Sequence, residues 1–339
     1  MKLPMKPLVI RTIEGEKIDR FPVWMMRQAG RYMPEYRALK ERYSFSELCL
    51  NSELSVEVAM QPIKAFDFDA AILFSDIMIP ARALGFDITF APGPVVGNPI
   101  RSVDDIEALP VTSDLEPLTP VFEAVKLLKE QIADRALFGF AATPWTLACY
   151  LIDQKPFKHF ERSTIWLNQR PRELHLLLEK LTELTVAYTL EQVKAGADII
   201  QLFDSWGGIL PKASYDEFSL NYSNKVFKAL KLTNAKTILY INGASHLTEN
   251  LGRSLADGFG IDSRATLSDF EKAFSNKTLQ GNLDPSVLFG SSVREDTIRL
   301  LSGLYRKTQF ILNLGHGVLQ ETPHGAVRDF VAAAKEFKL

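Results

Sequence analysis

Cysteine is nearly absent: 339 residues hold only Cys49 and Cys149. Two thiols far apart in sequence make neither a disulfide framework nor a Cys-rich zinc site, and they fit a reduced, cytosolic location. Long hydrophobic runs are missing as well. No stretch approaches the ~20 apolar residues of a spanning helix. The N-terminal MKLPMKPLVIRTIEGE has only a four-residue apolar run, too short for the core of a signal peptide. Charge of one sign is not in excess either. Lys and Arg total 39 and Asp and Glu 41, a net −2, so no basic field exists to bind nucleic acid or an anionic membrane. No G-x-G-x-x-G follows the first apolar run and no P-loop occurs anywhere. His159, His175, His246 and His324 show no H-x-x-x-H or His/Cys ligand spacing, so no metal is expected.

What is present is an ordinary globular composition, 46% apolar and 24% charged. The length equals about two average domains, yet an α/β barrel fills such a length alone. With no repeat, low-complexity tract or linker in view, residues 1–339 read as one domain.

Short apolar runs alternate with longer amphipathic stretches. The runs are Pro22–Met26, Ala70–Phe74, Ala136–Ala141, Asp198–Phe203, Thr237–Ile241, Gly258–Ile261, Thr278–Gly281 and Gln309–Leu314. Strands apolar on both faces are the mark of a parallel sheet covered by helices. Between them, Pro171–Ala195 places Leu174, Leu177, Leu178, Leu181, Leu184 and Tyr188 on one face, with Gly196 as a stop. Ser214 to Glu217 reads as a capping box opening the next helix. The last helix carries Val327, Phe330, Val331, Ala334 and Phe337. Eight strand candidates alternating with helices predict an α/β fold, a (β/α)8 TIM barrel with its active site at the C-terminal ends of the strands. An open doubly wound sheet is the rival, weakened by the missing dinucleotide fingerprint.

In a barrel the residues just after each run form the site. These are Arg27 and Gln28, then Ser75 and Asp76, then Thr143 through Tyr150, then Asp204 and Ser205, then Asn242, Asp262, Asn282 and His316. The first loop is the most informative. Residues 27–42 hold five basic and two acidic side chains, a local +3 in a chain of net −2. Arginine suits planar, bidentate recognition of carboxylate or phosphate, and Gly30 permits close backbone approach between Arg27 and Arg31. A solvated helix face is the bland alternative, and it fits poorly directly off a buried strand. Asp76, between apolar neighbours, reads either as a helix N-cap or as an anion held in a hydrophobic cleft. His316, flanked by glycines in Leu314-Gly-His-Gly317, is either a structural hydrogen-bonder or a site residue. Tyr150 and Ser205 carry weaker signals: a core tyrosine and a turn cap are their plain alternatives, and Ser205 has no adjacent general base.

At this point the chain resembles the uroporphyrinogen decarboxylase family over nearly its whole length. The resemblance rests on Pro22-Val-Trp-Met-Met-Arg-Gln-Ala-Gly-Arg-Tyr-Met-Pro-Glu-Tyr-Arg37, Phe74-Ser-Asp-Ile77, Thr143-Pro-Trp-Thr-Leu147 with Tyr150, Leu202-Phe-Asp-Ser205, Leu279-Gln-Gly-Asn-Leu-Asp-Pro285 and Asn313-Leu-Gly-His-Gly317. It implies a homodimeric barrel that needs no cofactor and converts uroporphyrinogen III to coproporphyrinogen III by removing four acetate carboxyl groups. Carried over by motif, the substrate-binding residues would be Arg27, Gln28, Ala29, Gly30, Arg31, Asp76, Tyr150, Ser205 and His316. Asp76, Arg27 and Arg31 would be the catalytic group, with Arg27, Arg31 and Arg37 supplying charge for the acid arms. Asn242-Gly-Ala-Ser245, Ser263 and Asp153-Gln-Lys155 depart from the family's usual pattern. A zinc-dependent cobalamin methyltransferase is disfavoured, since neither cysteine has a histidine two residues before it. A non-catalytic tetrapyrrole carrier is disfavoured by the retained Asp76, Tyr150 and His316.

Overall fold

The computed structural model describes residues 6–90, 93–110, 114–155 and 160–339; His159 lies outside them. Among the described residues nine strands form in chain order: β1 Ala70–Ile72, β2 Ile88–Phe90, β3 Pro94–Val96, β4 Ala136–Ala142, β5 Ile199–Asp204, β6 Lys236–Ile241, β7 Gly258–Ile261, β8 Thr278–Leu283 and β9 Phe310–Leu314. Seven of them make one parallel sheet in the order β1-β4-β5-β6-β7-β8-β9. Each neighbour follows the last in sequence, so the sheet curls in one direction with helices between its strands. Every residue of β4 and of β9 is buried, as the continuous apolar runs require.

The expected count of eight strands is corrected to seven in this sheet. Pro22–Met26 forms only an isolated parallel bridge, Val23 to Leu312. Trp24 N donates to Leu312 O at 3.2 Å and Leu312 N donates to Pro22 O at 2.9 Å. On the other side Asp69 N donates to Val23 O at 3.0 Å, and Val23 N donates to the Asp69 carboxylate at 2.8 Å. Arg20 grips that same carboxylate with both terminal nitrogens, at 2.7 and 2.6 Å. The segment therefore lies between β9 and β1, tied to one by backbone and to the other largely by a side chain. Pro22 has no N–H to extend a ladder. The second departure is a small antiparallel hairpin of β2 and β3, which the sequence reading omitted.

The helices bury the faces that their periodicity marks. In Pro171–Ala195 the six predicted apolar residues are all buried, and Gly196 ends the helix at φ +118. Thr182, Thr185 and Thr189 on its buried side return their hydroxyls to carbonyls one turn back, at 2.7, 2.7 and 2.8 Å. Those polar groups thus enter the core without an unmade hydrogen bond. Ser214 is not a cap. Its helix starts at Lys212 after Pro211, and the chain then widens into a π-turn over Asp216–Leu220. Inside the curled sheet, Trp24 Nε1 donates to Gln280 Oε1 and Gln280 Nε2 to Gln201 Oε1, both at 2.9 Å, with all three side chains buried. This chain links the Val23 segment to β8 and β5 across the interior.

Candidate active site

At the C-terminal ends of the strands a cavity of about 650 Å³ opens, within the usual size range of small-molecule sites. Arg27, Gln28, Ala29, Gly30, Arg31, Asp76, Tyr150, Ser205 and His316 all line it. Side chains from five separate βα loops thus converge on one space, with Ile72, Phe74, Phe140, Phe203 and Tyr240 supplying apolar walls.

The arginine loop is shaped by its backbone. Arg27 takes the left-handed conformation at φ +59, costly for a non-glycine residue. Hydrogen bonds on both sides hold it: Gln28 N donates to Met25 O at 3.1 Å, and Val318 N donates to Met26 O at 3.0 Å. Gln28 is buried, and its amide donates to Ala70 O at 3.2 Å, which ties the loop to β1. Tyr32 OH then donates to Gln28 O at 2.7 Å. Arg27 and Arg31 are exposed into and around the cavity. Arg37 is not with them. Its Nη1 donates to the Arg31 and Tyr32 carbonyls at 2.9 and 3.0 Å, so it braces the loop rather than offering charge to a ligand.

Asp76 follows β1. Its Oδ1 accepts from Met78 N at 2.8 Å, an Asx turn that leads into the short 3₁₀ turn Ile79–Leu84 without capping it, and the residue also lines the cavity. The helix-cap reading thus gives way to an Asx turn, and the carboxylate stands on the cavity wall. Burial raises the Asp76 pKa from 3.8 to about 6, with the Met78 N–H and the Arg27 charge pulling it back down. Arg27 offsets the burial in part. At pH 7 the group is mostly ionised and readily protonated by a small change of surroundings.

Tyr150 sits on the helix Pro144–Asp153, capped by Thr143, whose hydroxyl accepts from Thr146 N. Its ring packs edge-on to Phe160 and Trp206, and burial pushes its phenol up to about 12. Ser205 and Trp206 leave β5 at the cavity wall. Just before them Asp204 is wholly buried and points away, accepting from Thr143 Oγ1 at 2.8 Å, Thr146 Oγ1 at 3.1 Å and Ser219 Oγ at 2.6 Å. Burial raises its pKa, and these hydroxyls counter that. Asp204 is thus a fastener joining β5, the Tyr150 helix and the π-turn. Asp262 does similar work after β7, binding the Gly243 and Ala244 amides at 2.8 and 3.1 Å. His316 follows β9, its pKa lowered by burial first and by the Arg27 charge next. Both effects favour the neutral imidazole.

Several lining residues escaped the sequence reading. Lys40 and Phe45 reach the cavity from helices after the arginine loop, and Phe90 from the β2–β3 hairpin. None directly follows a strand of the sheet. The run of basic residues up to Arg42 did contain Lys40, which was the available signal. Among the described residues no group of three or more His, Cys, Asp or Glu side chains could hold a metal ion, and no helix is long and apolar enough to cross a membrane.

Comparison with known proteins identifies the family. The family model for uroporphyrinogen decarboxylase matches residues 5–337. The chain is 38% identical over 336 residues to a uroporphyrinogen decarboxylase of Christiangramia forsetii, covering 98% of each chain. It is 39% identical over 342 residues to one of Coxiella burnetii, covering 97% of this chain and 94% of the other. Among solved structures, a methyltransferase from Methanosarcina mazei superposes with TM-score 0.82 over 99% of both chains at 20% identity, a likeness of fold alone.

Proposed function

This chain belongs to the uroporphyrinogen decarboxylase family, and from that premise we propose that it removes the carboxyl groups of the four acetate arms of uroporphyrinogen III, giving coproporphyrinogen III and four CO₂. One observation carries the reading: Asp76, Arg27 and Arg31 open onto a single cavity with apolar walls.

The substrate is a ring of four pyrroles bearing acetate and propionate carboxylates. Arg27 and Arg31 receive those arms. Desolvation limits what such pairs contribute, so their main effect is orientation. The pyrrole is its own electron sink. A proton adds to the ring α-carbon beside an acetate arm, giving an iminium-like cation. The acetate C–CO₂ bond then breaks, its electron pair neutralises the cation, and an exocyclic methylene remains. A second proton converts the methylene to methyl, and the proton first added to the α-carbon then leaves, restoring the aromatic pyrrole, so each CO₂ released consumes one proton in total. This route needs no pyridoxal, thiamine or metal, because the macrocycle does the electronic work.

Asp76 lies under the ring, accepts hydrogen bonds from pyrrole N–H groups and steadies the cation. Preorganised groups of this kind contribute about 3–4 kcal/mol each. Tyr150, Ser205 and His316 orient the arms, with His316 a neutral hydrogen-bonding partner. The proton reaches the ring from a water or a substrate carboxyl held at Arg27 and Arg31. In this reading residues 1–339 are one domain, and Val23 closes the seven strands into a complete (β/α)8 ring. Two copies form a homodimer that works in the cytoplasm without nucleic acid or membrane. Anaerobic incubation with uroporphyrinogen III, followed by chromatographic counting of the carboxyl groups left on the product, tests the activity. Recovery of bound, unaltered octacarboxylate would instead identify a carrier.

A further inference from the structure

We propose that Asn242 is a further substrate-contacting residue, an amide donor to one carboxylate arm, its orientation set by Arg264 and Asp262; this rests on the decarboxylase reading above. Asn242 follows β6 and lines the cavity beside Ser205. Its Oδ1 accepts from Arg264 Nη2 at 2.7 Å. A guanidinium has donors only, so the amide oxygen must face it and the NH₂ must face away. That NH₂ has one partner among the described residues, the Ser205 carbonyl at 3.5 Å, the far limit of a hydrogen bond. It is left able to donate into the cavity.

The arginine that fixes this polarity is itself fixed. Arg264 Nε and backbone N both donate to Asp262 Oδ1 at 3.0 Å. Asp262 is 2% exposed, and its other oxygen holds the two amides directly after Asn242. Burial pushes the Asp262 carboxyl up, but the hydrogen bonds from Arg264, Ala244 and Gly243 outweigh it and leave the group below its ordinary range. One buried anion therefore orders both the arginine head and the loop that carries the amide. Gly243, at φ +86, makes the turn, and a Cβ there would stand 3.2 Å from Arg264 Nη2.

Position adds a reason. In the strand order, β1, β4 and β5 lie between the Val23 segment and β6 on one side, and β7, β8 and β9 on the other. Asn242 thus stands across the cavity from Arg27, where the far edge of a macrocycle would place acid arms that the arginines cannot reach.

The test compares N242D with N242A and R264Q. Dissociation constants for uroporphyrin, the oxidised octacarboxylate, are read by quenching of tryptophan fluorescence, with turnover measured in parallel. Aspartate pairs better than asparagine with Arg264, so a purely structural role makes N242D benign. The substrate role makes N242D the worst variant. We expect about tenfold weaker uroporphyrin binding in N242D and about threefold in N242A and R264Q, with melting temperatures near wild type. N242D binding as well as wild type, or better than N242A, overturns the proposal. Should wild type bind with this pattern yet fail to decarboxylate uroporphyrinogen III, the activity assigned above falls and the subsite stands.

Discussion

Gly317 lies directly beneath Arg27: a Cβ built at position 317 would stand 2.5 Å from Arg27 Cδ and 2.9 Å from its Cγ. The arginine's aliphatic stem runs over bare backbone, and that backbone belongs to the loop carrying His316. G317A should therefore displace the guanidinium by about an ångström while leaving the distant core intact. Misplacement on that scale costs about 10²-fold in rate. We expect kcat/KM for uroporphyrinogen III to fall about 10²-fold, with a melting temperature close to wild type.

Asp76 sets a pH dependence with a definite sign. Its pKa is raised to about 6, so the carboxylate that steadies the cation is lost as pH falls through 6, and kcat should fall with it. Stability runs the other way. The folded protein holds this proton more tightly than the unfolded chain does, so the contribution is full below pH 4 and lost as pH rises through 6. D76N removes the buried charge. It should lower kcat by about 10²–10³-fold while stabilising the fold at pH 7 by up to about 3 kcal/mol. Steady-state kinetics and denaturant melts across pH 4–8 read both effects.

His316 positions substrate as a neutral group in the mechanism above. H316Q keeps a hydrogen-bonding amide near the same place. We expect KM to rise about tenfold with kcat within about threefold, the pattern of lost uniform binding. A collapse of kcat at constant KM would instead make the imidazole the proton donor.

Asp204 is the test of the scaffold. D204A leaves the hydroxyls of Thr143, Thr146 and Ser219 buried without their common acceptor. A loss of about 3–5 kcal/mol is expected from urea unfolding. Binding of uroporphyrin should weaken too, because the Tyr150 helix is one of the parts that Asp204 fastens.

Much of this molecule could be read from its residues, for identifiable reasons. Strands buried on both faces leave continuous apolar runs, so β4, β5, β6, β7 and β9 were found within a residue or two of their ends. Pro22–Met26 has the same look but only a one-residue bridge, since pairing depends on neighbours that a local pattern does not contain. Ser214 has capping chemistry in the middle of a helix, where the capping rule says nothing about what precedes it. Arg27, Asp76, Tyr150, Ser205 and His316, which the strand-end rule singles out, line one cavity. That rule could not separate them from Asp204 and Asp262, acids in equivalent positions that turn into the core. Arg37 looked like its neighbours in sequence and turned out to brace the loop, because the helix Pro34–Lys40 aims its head at the Arg31 and Tyr32 carbonyls.

The seam at Val23 has one more implication. Only three residues separate the bridge to Leu312 from Arg27. The segment bonded both to β9 and to the residue before β1 is therefore also the segment that presents the guanidinium to the cavity. Under the function proposed above, a substrate held by Arg27 favours the state in which both edges are joined, so its binding stabilises the fold as well as the complex.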